Sequence, residues 1–202
     1  VNGATPTTVH LVRHGQVENP RGIIYGRLPG FHLSEVGKRQ AEASATRLAE
    51  TDVALVWASP LERAQETARP IAVRHEIDVV TDERLTESRT TLEGTAQNLA
   101  SFVRSPRRWI SFRNPLSPSW GESFAEIRNR MVRSIHDAVE AAGGRDVVLV
   151  SHQTPVLVAR LALAGRRVPP WLAFTPCETG SITSLELLGG RLLSAAYFVP
   201  PA

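Results

Sequence analysis

A chain of 202 residues with 42% hydrophobic content can bury the core of one large domain. Its 23 basic residues are scattered and leave a formal net charge of only +3, which excludes a Lys/Arg tail of the kind that grips nucleic acid. No run approaches the roughly 18 uninterrupted apolar residues of a membrane helix, and the first residues lack the charged-then-apolar plan of a signal peptide, so a cytoplasmic protein without nucleic-acid or membrane partners is expected.

Residues 1–6 form a polar lead-in, and the first strand follows at once in Val9-His10-Leu11-Val12. This run is apolar and β-branched, and it ends in Arg13, His14 and Gly15. In open α/β sheets ligands sit beyond the carboxyl ends of the strands, so Arg13 and His14 are delivered to the default binding crevice. Gly15 is read as allowing a sharp turn and leaving room for a ligand. From Gln16 to Phe31 the composition is that of a loop. Ser34 stands where an N-cap belongs, and Val36, Ala41, Ala45, Leu48 and Ala49 give a helical stripe to about Glu50.

Val53 to Ala58 is the next strand. Ser59 and Pro60 follow as N-cap and first helical residue, so a helix carrying Arg63 opens at that strand's end. Ile77 to Val80 reads as a short strand, and Glu83 to Gly94 as a loop over the site. A weak helix is predicted over Thr95 to Val103. Residues 105–120 combine Pro106, Pro115 and Pro118 with Trp109, Phe112 and Trp120, which reads as a cap or lid. Glu122 to Ala142 is a long amphipathic helix ended by Gly143-Gly144.

A second run, Asp146 to Ser151, repeats the first strand's design and ends in His152. Neighbouring parallel strands would place both imidazoles over one crevice. A helix from Pro155 to about Ala164, an irregular crossing from Pro169 to Glu178, and a hairpin of Ser181–Leu188 with Leu192–Phe198 complete the chain. Strands alternating with helices predict an α/β fold: a three-layer sandwich with a mostly parallel central sheet flanked by helices. Residues 1–202 read as a single domain with its cap or lid at about 105–120.

Four blocks then stand in order along most of the chain: Leu11-Val12-Arg13-His14-Gly15, Ser59 to Ala68, Leu85-Thr86-Glu87 and Val150-Ser151-His152. In that order the chain resembles the histidine phosphatase superfamily, which includes the cofactor-dependent phosphoglycerate mutases. Arg-His-Gly alone is a weak signal, whereas the ordered set is a strong one. The resemblance implies a phosphoglycerate mutase-like fold, a phosphohistidine at His14, and a pocket of Arg13, Arg63 and His152. It also implies that Glu87 is the proton donor and then the base for water. Asn19, in the loop after the first motif, matches a further phosphate contact of many members, with Arg27 its neighbour. The chain departs from the family at Gln16, where glutamate is frequent, and at Gln153, where glycine is common. Both can donate hydrogen bonds, and Gln153 joins the phosphate-binding set.

The residues themselves support that chemistry. A neutral imidazole with one nitrogen fixed as donor is a good nucleophile towards phosphorus, which suits His14. Phosphoryl transfer spreads charge over the moving oxygens, so fixed donors from Arg13, Arg63, His152 and a helix start do most of the work. Neither metal nor cofactor is then expected. Lys38 is the only lysine, so positive charge is carried almost wholly by arginine, whose planar fork grips phosphate at two points. The lone Cys177 excludes an internal disulfide and a cysteine-based zinc site.

A single histidine ending a strand is more often structural than nucleophilic, and a lone helix arginine is more often solvated; the ordered blocks reverse both for His14 and Arg63. Glu87 is preferred to Glu83 and Glu93 by its motif. His10, His32, His75 and His136 have no motif and read as packing or surface residues. Glu122, in Gly121-Glu122-Ser123, is either a helix-start residue or a neighbour of the substrate.

The leading function is therefore a metal-independent phosphatase acting on a small phosphorylated metabolite. The alternatives are a phosphoglycerate mutase with the same site and a binding module that senses a phosphorylated ligand without turnover. The chain is short for the insertions of typical mutases, and a sensor needs no nucleophile and acid together. Oligomeric state is left open, a homodimer included.

Overall fold

The computed structural model describes residues 5–95, 121–169, 172 and 175–201. The expected cap at 105–120 and all but the first residue of the expected 95–103 helix lie outside the described residues.

In chain order the elements are β1 (Thr7–Arg13), α1 (Glu35–Leu48), β2 (Val53–Ala58), α2 (Glu62–Arg74), β3 (Val79–Thr81), a 3₁₀ turn (Glu83–Leu85), α3 (Phe124–Ala142), β4 (Asp146–Ser151), α4 (Gln153–Leu163), β5 (Ile182–Leu188) and β6 (Arg191–Phe198). The strands form a six-stranded sheet in the order β3-β2-β4-β1-β5-β6. The first four of these run parallel, while β5 and β6 pair antiparallel as the predicted hairpin. The fold is the expected α/β sandwich with a mostly parallel sheet.

Side-chain alternation along the strands builds the layers. Val9, Leu11, Val147 and Leu149 point to a core closed by Ile127, Met131 and Ile135 of α3 and Val156 and Leu157 of α4. Val12, Val148 and Val150 point to the other face, where Ala45 and Leu48 of α1 and Ala64, Ala68 and Ile71 of α2 cover them. A strand buried on both faces needs the unbroken apolar runs seen in β1 and β4.

Local signals set the helix ends. The Ser34 side chain caps α1 by accepting from the Gly37 N–H, and Ser123 with Glu126 forms a reciprocal capping box at the start of α3. Gly143, in the left-handed conformation, ends α3. One helix start differs from expectation: α2 opens at Glu62 with Leu61 as its N-cap, not at Pro60. Ser59 is engaged elsewhere, as described below. Among the described residues, no helix is long and apolar enough to cross a membrane.

The chain leaves β1 towards the α1/α2 face and leaves β4 towards the α3/α4 face. The crevice between these adjacent strands is thus the switch point at which open sheets bind ligands.

Candidate active site

Parallel pairing puts Arg13 opposite Ser151, so β1 and β4 end level with each other and release His14 and His152 side by side. Their rings lie 5.1 Å apart, centroid to centroid, at 60°. The His14 Nδ1–H donates to the Gly15 carbonyl at 2.8 Å, which leaves the Nε2 lone pair as the nucleophilic position. Burial, reinforced by Arg63, lowers the His14 pKa to about 3, so the ring is neutral at any physiological pH. Burial and the neighbouring His14 and Arg63 hold His152 neutral in the same way.

Gly15 plays a different part from the one expected. A Cβ there would lie 2.5 Å from the Gly37 carbonyl oxygen, so its missing side chain serves a close backbone approach to α1. Its N–H is held by the Thr67 hydroxyl of α2 at 3.1 Å. The strand end is therefore pinned to both helices of that face.

Arg63 is fully buried. Its Nη2 donates to the Gly26 carbonyl at 2.6 Å and its guanidinium lies 4.8 Å from the Tyr25 ring centroid. Arg13 donates through Nη1 to the Cys177 carbonyl. Ser59 Oγ stands 2.8 Å from His152 Nε2, so the serine expected as a helix cap instead tethers the second imidazole. Among the described residues, Arg13 Nε, Arg63 Nε and Nη1, and His152 Nδ1 are buried without a hydrogen-bond partner. Buried donors are rarely left unpaired, and a cluster of them beside a neutral nucleophile is what an oxyanion would satisfy.

A cavity of about 250 Å³ opens here, and Arg13, His14, Tyr25, Glu87, Gln153 and Thr154 help to line it. Arg63 and His152 are fully buried and are not among its lining residues. Gln153 and Thr154 belong to the first turn of α4, and the positive end of that helix dipole favours an anion. Burial raises the Glu87 pKa, although the Ser88 N–H at 2.7 Å opposes the shift. The carboxyl therefore retains its proton to higher pH than an exposed glutamate.

Of the alternatives to Glu87, Glu93 accepts the Arg27 N–H at 2.8 Å, and Glu83 lines a second cavity. That cavity, about 690 Å³, shares Thr90 with the first and is also walled by Arg27, Arg89, Glu122 and Arg130. Arg27 thus borders the outer cavity and holds the Glu87 backbone carbonyl through Nε at 2.6 Å. Asn19 lines neither cavity, because its amide closes its own loop on Ile23 with contacts of 2.9 and 3.2 Å. His10 packs against Ser184 and Asp146, His32 pairs with Glu66, and His75 and His136 are likewise outside the inner cavity.

Sequence reasoning missed Tyr25, Ser59 and the structural role of Glu122. Tyr25 stacks on Phe31 at 5.1 Å and lies edge-on to His14 at 6.3 Å, covering Arg63. Its loop offered no periodicity to reveal that position. Burial raises the Cys177 thiol pKa, in keeping with an inert residue. Among the described residues, no group of three or more His, Cys, Asp or Glu could hold a metal ion.

Known proteins share this arrangement of chain. The protein named Uncharacterized protein Rv0525 of Mycobacterium tuberculosis is 48% identical over 97% of this chain and 98% of its own. Phosphoserine phosphatase 1 of Hydrogenobacter thermophilus is 28% identical over 88% of this chain and 85% of its own. A mycobacterial glucosyl-3-phosphoglycerate phosphatase, Rv2419c, superposes with a TM-score of 0.77 at 25% identity, covering 96% of this chain and 98% of its own. Residues 9–198 match the family described as histidine phosphatase superfamily (branch 1), and the chain belongs to that family.

Proposed function

We propose that this protein is a phosphatase that hydrolyses a small phosphorylated metabolite through a phosphohistidine at His14, without a metal ion. The observation that carries the reading is the neutral His14 with its Nδ1–H committed to Gly15, set among buried guanidinium and imidazole atoms that lack partners among the described residues. In the first step Nε2 attacks phosphorus, the P–O bond to the alcohol breaks, and the departing oxygen takes the Glu87 proton. In the second step water attacks the phosphohistidine while the Glu87 carboxylate accepts its proton. The P–N bond breaks, its electron pair returns to Nε2, and inorganic phosphate leaves.

Arg13, Arg63, His152 and the opening turn of α4 stabilise the oxygens of the moving group throughout. Glu87 suits both steps because burial raises its pKa, so it holds a proton to higher pH than an exposed glutamate and can take one back once ionised. The outer cavity, which shares Thr90 with the inner one, would receive the alcohol portion. Two of the relatives described above are themselves named as phosphatases of small metabolites.

The test is turnover against a panel of phosphorylated sugars, glycerates, nucleotides and phosphoserine, with mutase activity followed in parallel. Release of inorganic phosphate that disappears in His14→Ala is expected. Interconversion of phosphoglycerates without phosphate release would make the protein a mutase, and binding without turnover would make it a sensor.

A further inference from the structure

The segment that carries Glu87 has no regular structure after the 3₁₀ turn, yet its backbone is gripped carbonyl by carbonyl. Arg130 Nη1 donates to the Arg84 carbonyl, the Ser151 hydroxyl to that of Leu85 at 2.6 Å, and Arg27 Nε to that of Glu87 at 2.6 Å. The Glu122 N–H then donates to the Arg89 carbonyl at 3.1 Å. Three of these four contacts converge on one residue. The Glu122 carboxylate accepts from Arg27 Nη2 at 3.0 Å, from Arg130 Nε at 2.7 Å and from Arg130 Nη2 at 3.1 Å.

The carboxylate is 11% exposed and its two arginine partners 26% and 16%, so the cluster is largely shielded from water. A guanidinium that serves two acceptors at once is oriented by both, and its fork geometry transmits the position of one to the other. Next to Glu122, Gly121 allows the closest approach: a Cβ there would lie 1.8 Å from the Arg89 carbonyl oxygen, and Gly121 bridges Thr90. Only a bare backbone lets Glu122 sit this near the acid-bearing segment.

We propose that Glu122 is a positioning residue for the proton-transfer step, acting through Arg27 and Arg130 to hold the Glu87 segment in register with His14. The inference rests on the role proposed for Glu87. A misplacement of about 1 Å between reacting groups can cost on the order of 10²-fold in rate, and a protonating group matters most when the leaving group is poor. Loss of Glu122 therefore harms slow alkyl esters and largely spares activated aryl esters.

The experiment compares the parent, Glu122→Ala, Glu122→Gln, Glu87→Gln and the double variant Glu122→Ala/Glu87→Gln on phosphoserine and on dinitrophenyl phosphate. Glu122→Ala is expected to lower kcat/KM, which reports the step that forms the phosphohistidine, about 10²-fold on phosphoserine and less than about threefold on the aryl ester. Glu122→Gln, whose amide oxygen can serve only part of the cluster, is expected between parent and alanine variant. In the Glu87→Gln background the alanine substitution should add less than about threefold on either ester, since the acid it positions is gone. Turnover of the aryl ester reports a folded pocket in each variant, and if the alanine variant does not fold, the glutamine variant decides.

Equal losses on both esters, or full additivity with Glu87→Gln, would overturn the positioning role while leaving the acid assignment intact. Glu87→Gln losing equally on both esters would remove the acid assignment, and the inference with it.

Discussion

Replacing Arg63 by methionine should cost activity without a matching loss of stability. The guanidinium is fully buried on α2, and no carboxylate lies within 4 Å of it among the described residues. Its internal partners are one carbonyl, that of Gly26 at 2.6 Å, and the face of Tyr25 at 4.8 Å. The carbonyl bond is worth about 1.5–3 kcal/mol and the cation–π contact about 0.5–2 kcal/mol. Against them stands a desolvation cost of several kcal/mol for an ion without a counter-ion. The balance for folding is near zero or unfavourable, so methionine, which fills similar volume, should leave Tm within about 5 °C of the parent or raise it.

On the proposed mechanism, catalysis draws on the two donors that have no partner among the described residues. Nε and Nη1 would each offer a charge-assisted bond to the phosphoryl oxygens, together about 3–6 kcal/mol, or on the order of 10²- to 10⁴-fold in kcat/KM. Calorimetry and steady-state hydrolysis of an aryl phosphate on the same preparations provide the assay. An Arg63→Met protein that melts more than 10 °C early while keeping kcat/KM within about threefold would refute this reasoning, since the arginine would then be structural.

Glu87→Gln is expected to lose about 10²- to 10⁴-fold on esters with poor leaving groups and far less on activated ones. It should also abolish the fall in kcat expected as pH rises through the raised pKa of Glu87; a retained alkaline limb would place the titrating group elsewhere. His14 and His152 are neutral when folded but take up protons when unfolded, so stability should fall as pH drops from about 6.5 towards His14's folded value of about 3. Urea midpoints at neutral and acid pH would show this, and His14→Ala should flatten the dependence. Gly37→Ala would place a Cβ 2.0 Å from the Gln16 carbonyl oxygen, and a loss of about 1–3 kcal/mol in chemical denaturation is expected. A chelator should leave the rate unchanged, because the Arg13 and Arg63 guanidinium groups supply the charge that a metal would otherwise bring; inhibition reversed by added metal would contradict that.

What could be read from the sequence was local. β1 and β4 announced themselves as β-branched runs ending in histidine, and the alternation of strands and helices implied a mostly parallel sheet; their adjacency belongs to the strand order β3-β2-β4-β1-β5-β6. Ser34, Gly143 and the Gly189-Gly190 turn marked element ends through the chemistry of caps and hairpins. The same local logic misled at Ser59: a serine before proline looks like a cap, but the end of β4 brings His152 within reach and captures the hydroxyl. Asn19 is matched to a phosphate contact by the family resemblance alone; its amide closes its own loop at Ile23, four residues on. Tyr25 over Arg63, Gly15 against Gly37 and Glu122 between two arginines are meetings of residues far apart in the chain. No periodicity or spacing encodes them, because they exist only once the sheet has ordered its strands.

The central claim concerns one nitrogen atom. Rapid quenching during turnover of an aryl phosphate, followed by peptide mass spectrometry under alkaline conditions, would locate any phosphoryl group that the protein carries. A phosphohistidine at His14, stable to base, lost in acid and absent from His14→Ala, is the predicted result. A phosphoryl group on any other residue, or undiminished turnover in His14→Ala, would contradict the account.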